Sequence, residues 1–174
     1  FWMVPYDLQG LIDSIGGKEA AEKRLDEMFR RLDASYGDEW FASGNEPSFQ
    51  IPWIYNWAGA PYKAQQVIRR ILNEQYSSRV NGLPGNDDLG SMGAWYVFAS
   101  IGLFPEIPGV GGFSVNSPVF RKIVLHLPEG DVIIKGGDEK KEYIHSLSLD
   151  GKKMEGTWIA VSYTHLRAHE TSQD

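Results

Sequence analysis

The stretch from residue 90 to residue 101, Gly-Ser-Met-Gly-Ala-Trp-Tyr-Val-Phe-Ala-Ser-Ile, constrains this chain most. It reads as a helix that is apolar on most sides, and such a helix has to be enclosed by neighbouring elements. Ahead of it lies Gly82-Leu-Pro-Gly-Asn-Asp-Asp-Leu-Gly90, a glycine-rich loop that sets Asp87 and Asp88 where the helix begins. Carboxylates at that end meet unpaired backbone amides and the positive end of the helix dipole. The pair is therefore open to two readings, a helix cap or a chemical site.

Other segments supply the helices that enclose it. Asp7 to Ile15 reads as a short helix stopped by Gly16-Gly17. Lys18 to Leu32 is amphipathic, with Leu25, Met28, Phe29 and Leu32 on one face and its charges on the other. A polar loop over residues 33 to 47 leads to a helix expected from Ser48 to Ala58, with Pro52 in its first turn. Pro61 opens a further helix whose stripe is Ala64, Val67, Ile68, Ile71 and Leu72. After Pro105 and Pro108 the pattern changes to strands, Lys122 to Leu127, Asp131 to Lys135 and Glu142 to Leu149, with Asp150-Gly151 as a hairpin turn. The boundary falls near residues 105 to 112. Periodicity alone supports an α-rich array followed by a small antiparallel sheet.

Composition narrows the function classes. A net charge of -6 and a pI near 5.2 argue against nucleic acid, which needs clustered Lys and Arg. With no cysteine, disulfides, thiolate zinc sites and cysteine nucleophiles are excluded together. No apolar run approaches the ~20 residues of a bilayer-spanning helix, so no membrane partner is expected. The chain begins with Phe-Trp inside a structured segment, and we expect it to be a piece of a longer protein. Residues 161 to 174 resemble translated sequencing-adapter read-through and are expected to be a non-native tail. Its His165, His169 and Glu170 are otherwise the makings of a metal site.

Five ordered motifs are Phe1-Trp-Met-Val-Pro-Tyr-Asp7, Gly44-Asn-Glu-Pro-Ser48, Pro52-Trp-Ile-Tyr-Asn-Trp-Ala-Gly59 with Pro61-Tyr-Lys-Ala-Gln65, the Asp87-Asp88 loop, and Phe104-Pro-Glu-Ile-Pro-Gly109 with Ser117-Pro-Val-Phe120. Together they resemble glycoside hydrolase family 92, the calcium-dependent exo-α-mannosidases, from Phe1 to about Ile159. The resemblance implies an α+β fragment, the C-terminal part of an (α/α)6 helical barrel over residues 1–108, followed by a small antiparallel β-sheet over residues 109–160. It implies an N-terminal β-domain of the same chain as a packing partner, and a secreted or periplasmic bacterial enzyme. The substrate implied is a mannose-containing glycan with a terminal α-mannoside, α-1,2 linkages being the first expectation.

Glycosidases work with two carboxyl groups flanking the scissile bond, and in inverting enzymes one deprotonates a water across the sugar ring. The resemblance gives that base role to Asp88, and Asp87 either tunes Asp88 or binds metal. Asn86 stands where many members carry an acid, and Asn45 where α-1,2-specific members often carry His. Glu46 reads from the chain alone as a helix-start residue or a functional one; the resemblance gives it contact with the terminal mannose. The general acid is implied to lie upstream of Phe1, so the 174-residue chain alone is expected to be inactive. Calcium takes six to eight oxygen ligands, and Asp87 and Asp88 are its candidate ligands here, with part of the shell elsewhere. Trp53, Trp57 and Trp95 fall at helical spacing and are expected in the core. Trp40, in the loop before the Glu-Pro motif, is the better sugar contact. His126 and His145, in strands, are expected to be structural. The rival class is a non-catalytic glycan-binding remnant, which would keep Glu46 and the aromatics without needing Asp88.

Overall fold

The computed structural model describes residues 1–161 except Tyr36 and Glu129. Of the expected non-native tail, all but Val161 lies outside the described residues, and so do His165, His169 and Glu170.

A 3-10 turn at Pro5–Asp7 leads into α1 (Leu8–Ser14), whose first turn is capped by the Asp7 carboxylate accepting from the Gly10 amide at 2.9 Å. Gly16 and Gly17, with φ of 105° and 92°, reverse the chain into α2 (Lys18–Met28). That helix stops four residues short of the expected Leu32. Phe29 leaves helical geometry, and the following backbone turns to meet the returning loop, where Asp33 bridges Ala42. The helix expected over 48–58 is also broken. It becomes 3-10 turns at Glu46–Ser48 and Ile51–Trp53 and one short α-turn, α3 (Ile54–Trp57). Pro47 and Pro52 lack amide hydrogens and favour such tight starts over one continuous helix. α4 (Pro61–Glu74) and α5 (Ser91–Ile101) follow as expected.

Three small antiparallel sheets replace the single one expected. β1 (Leu103–Phe104), β2 (Gly112–Val115) and β7 (Trp158–Ala160) form one, in the order β1-β2-β7. β3 (Lys122–Leu127) and β4 (Gly130–Lys135) form a hairpin with Lys122 opposite Lys135, and β5 (Leu147–Leu149) and β6 (Lys152–Met154) form another. Asp150 and Gly151, with φ of 52° and 77°, make the turn of the second. His126 pairs with Asp131 across the first, at 2.7 Å. The strand expected from Glu142 is only three residues long because α4 takes up the backbone ahead of it. Ile144 N–H donates to Gln65, and the Lys141 carbonyl accepts from Arg69.

The core lies between α1, α2, α3, α4 and α5, with Ile12, Leu25, Ile54, Ile68 and Ile71 all but inaccessible. Trp53, fully buried, stacks on Phe104 of β1 at 4.0 Å between ring centres and so joins the helical and strand parts. Its indole N–H donates to Asn116, whose amide donates to Ala99 O on α5. Gly102 ends α5 in the left-handed conformation, and a Cβ there would meet Asn116 O at 2.6 Å.

Arg69 shows how the strands are held. It is 7% exposed and donates to carbonyls of Ser117, Pro118, Glu139 and Lys141 and to the Ser117 hydroxyl. Replacing it by Ala strands several buried acceptors, at a cost of about 2–4 kcal/mol. The expected result for Arg69→Ala is a lower urea midpoint, with loss of exchange protection at Ile144.

Candidate active-site loops

The Asp87-Asp88 loop divides its two carboxylates by geometry. The Asp87 Oδ1 accepts from Gly93 N–H at 3.1 Å, and its backbone carbonyl accepts from Met92 N–H at 3.2 Å. Asp87 is thus the cap of α5, a contribution of about 1 kcal/mol. Asp88 does something else. Its backbone sits at φ 46°, followed by Leu89 at 60° and Gly90 at 91°. Two successive non-glycine residues in the left-handed region cost on the order of 1 kcal/mol each. Ser91 holds the turn, its hydroxyl and amide both donating to the Asp88 carbonyl at 2.6 and 3.3 Å. The Asp88 carboxylate is exposed and has no partner among the described residues. Asn86 is exposed on the same loop.

Glu46 begins the 3-10 turn Glu46–Ser48 and is half-buried. Its Oε1 is shut off from solvent yet has no hydrogen-bond partner among the described residues. An unpaired buried carboxylate oxygen costs about 1–3 kcal/mol or more. Two contacts bring its loop to that of Asp88. A Cβ on Gly44 would meet Pro84 O at 2.5 Å, and one on Gly85 would meet Gly44 O at 2.5 Å, so the backbones touch where only glycine fits. From α5, the Trp95 indole donates to Phe49 O at 3.0 Å, tying the end of the Glu46 turn to the helix that Asp87 caps. Tyr76 stacks on Trp95 with centroids 5.7 Å apart, and burial together with the Asp87 charge raises its phenol above the usual range.

Asn45 is exposed at the wall of a cleft of about 340 Å3 that also involves Asp33, Ser43, Gly44, Gln75 and Pro84. Glu46 and Asp88 do not line it. Trp40 is half-buried, and the Arg31 guanidinium lies 4.9 Å over its ring. Trp53 and Trp95 are core residues, and Trp57 is packed against that core. For calcium, the loop offers the free Asp88 carboxylate and the spare oxygen of Asp87. No group of three or more acidic, histidine or cysteine side chains exists among the described residues, so these residues do not by themselves form a calcium cage.

Sequence reasoning passed over Glu106, in Phe104-Pro-Glu-Ile-Pro-Gly109. It is 2% exposed; Trp57 N–H, at 3.1 Å, and the Ser114 hydroxyl donate to its Oε2, and its Oε1 has no partner among the described residues. Burial pushes its carboxyl up to about 7, against the pull of those two donors. A lone acid between two prolines in an apolar run was the signal available for it.

Known proteins resemble this chain over most of its length. Residues 1–171 match the model of the glycosyl hydrolase family 92 catalytic domain. The chain is 32% identical over 164 residues to an uncharacterized secreted glycosidase of Arthroderma benhamiae, covering 91% of this chain and 20% of that protein. It superposes with a TM-score of 0.83 on a family 92 α-mannosidase of Bacteroides thetaiotaomicron, 34% identical, covering 93% of this chain and 22% of that one. A family 92 inverting mannosidase of B. thetaiotaomicron VPI-5482 gives 0.81 at 30% identity, with 93% and 25% covered. The chain therefore spans a fifth to a quarter of the length of these relatives.

Two outcomes are expected from these contacts. Gly85→Ala forces the Gly44 and Gly85 backbones apart, and overpacking of this kind costs about 1–3 kcal/mol; calorimetry should show the lowered melting temperature, and NMR should place the largest shifts at residues 44–49. Glu106 binds its proton more tightly in the folded than in the unfolded chain, where its value is the ordinary 4.5. Its contribution is then fully present below pH 4.5 and is lost as pH rises to about 7, amounting to about 3 kcal/mol in all. Urea titrations across that window should show this decline in the parent chain, and Glu106→Gln should remove it.

Proposed function

Because the chain belongs to glycosyl hydrolase family 92, we propose that it is the base-bearing part of an inverting exo-α-mannosidase that removes terminal α-mannose from glycans. The observation that carries this reading is the seating of the Glu46 turn on the Asp88 loop through Gly44 and Gly85, with a free carboxylate on one and an unpaired buried oxygen on the other. In this assignment residues 1–108 are part of an (α/α)6 barrel, residues 109–160 are its β appendage, and an N-terminal β-domain completes the cleft.

The roles follow from chemistry. Asp88, exposed and free of partners, takes the proton of the attacking water. Asp87, engaged with Gly93, fixes the loop and adds negative charge beside Asp88. A mannose hydroxyl donates to the Glu46 carboxylate, which orients the ring; Asn45, Asn86 and Trp40 border the same substrate. In this assignment the acid that protonates the leaving oxygen comes from outside residues 1–161. Calcium, when bound, would favour a distorted sugar ring; Asp88 and Asp87 would be its ligands here, and the remaining oxygens would come from outside residues 1–161. An α-1,2 linkage is the first to test. Secretion is in keeping with the name of the Arthroderma benhamiae relative.

The deciding experiment uses the chain extended upstream and a set of α-linked mannobioses, with and without calcium. Mannose should appear first as the inverted β-anomer by NMR, and Asp88→Asn should lower kcat by about 10²–10⁴. Undiminished turnover in Asp88→Asn would move the base to Asp87. Mannose affinity without release, unchanged by Asp88→Ala, would make this a binding protein.

A further inference from the structure

A second cleft, sharing no residue with the loops above, lies where the start of α2 and the side of α1 face α3, β2 and β7. It encloses about 240 Å3. Two of its residues are indoles, Trp57 and Trp158, and the polar residues include Gln9, Lys18, Asn56 and Ser114.

Each indole is fixed from behind. The Trp57 N–H is held by Glu106 at 3.1 Å. Trp158 lies flat enough on β2 that a Cβ at Gly112 would come within 2.3 Å of its ring, so only glycine at 112 admits it. Asn56 gives its amide hydrogens to Val115 O at 3.3 Å, which leaves its Oδ1 buried with no partner among the described residues. Lys18, exposed at the mouth, has no ion pair among the described residues.

We propose that this cleft is a second carbohydrate site that takes one neutral pyranose ring. The charge pattern decides between ligand classes. A cation would face the Lys18 ammonium, and an anion would face the unpaired Asn56 Oδ1, with its lone pairs, and the Glu106 carboxyl behind it. A neutral polyol meets neither objection. Its hydroxyls accept from Lys18 and exchange hydrogen bonds with the Gln9 and Asn56 side chains, while its C–H faces lie against the two indoles, which bury much area at little entropic cost. This inference does not depend on Asp88 being the base.

The test is 19F NMR of the 174-residue chain labelled with 5-fluorotryptophan, titrated with the methyl α-pyranosides of mannose, glucose and galactose. The chain also carries Glu46→Gln and Asp88→Asn, so that binding at the first site is disabled. Trp57 and Trp158 should shift and saturate for at least one sugar by about 50 mM, while Trp53 stays still. Lys18→Ala, at an exposed position, and Trp158→Ala should each weaken that response tenfold or more. No shift of Trp57 or Trp158 with any of the three sugars would overturn the proposal. So would a shift that Lys18→Ala leaves unchanged, and so would one seen only when Glu46 and Asp88 are restored. In the last case the proposed mannosidase site is intact and only the second site is lost.

Discussion

A buried indole must find an acceptor for its N–H, and three such requirements organise this molecule. Trp53 finds Asn116, beyond the end of β2; Trp57 finds Glu106, between β1 and β2; Trp95 finds the carbonyl of Phe49, at the end of the Glu46 turn. The first two bind the α3 region to the strands that follow α5. The third binds α5 to the turn carrying the candidate sugar contact. Burial of apolar surface is itself non-directional. The hydrogen bonds choose one arrangement among those that would bury the same rings. The Trp53–Phe104 stack is held in register because Asn116 also donates to Ala99 and accepts Trp53.

The helices were legible where their signals were local. α4 and α5 follow from an apolar stripe with a proline start and from a glycine-bounded apolar run, and both stand where the pattern puts them. The 48–58 segment departs from a single helix because Pro52 lacks the amide that a continuous helix needs there, and the backbone breaks into a 3-10 turn and one short α-turn. The shortening of the strand expected from Glu142 to β5 could not be read locally at all. Its backbone is claimed by Gln65 and Arg69, some seventy residues or more earlier in the chain. The β1-β2-β7 sheet was missed for the same reason. Strands of two to four residues carry too little alternation to be seen, and their partners are distant in sequence.

The candidate site divides along the same line. Asp87 and Asp88 were visible as a pair, but nothing in the sequence separates a cap from a free acid; the bond from Gly93 does so. Glu46 was visible as a residue type, while its unpaired buried oxygen is a property of the fold. Gly44 and Gly85 stood in quoted motifs without any evident joint purpose. Their importance is mutual, each leaving room for the backbone of the other, and no window along the chain contains both reasons.

The Asp88 turn shows what such an arrangement is for. A free carboxylate on a helix start would normally be drawn to the orphan amides of the first turn, where the interaction is favourable. Here that position is already filled by Asp87, and the chain then passes through two left-handed non-glycine residues before α5 begins. The result keeps Asp88 next to the helix end without letting it become the cap. Asp tolerates the left-handed region better than most residues, whereas Leu89 does not gain from it and stands exposed. Unfavourable backbone geometry and an exposed leucine on one turn have no benefit for folding that the structure displays. The strain is tolerated because Asp87, Ser91 and the glycine contact at 44 and 85 over-determine the turn from three sides.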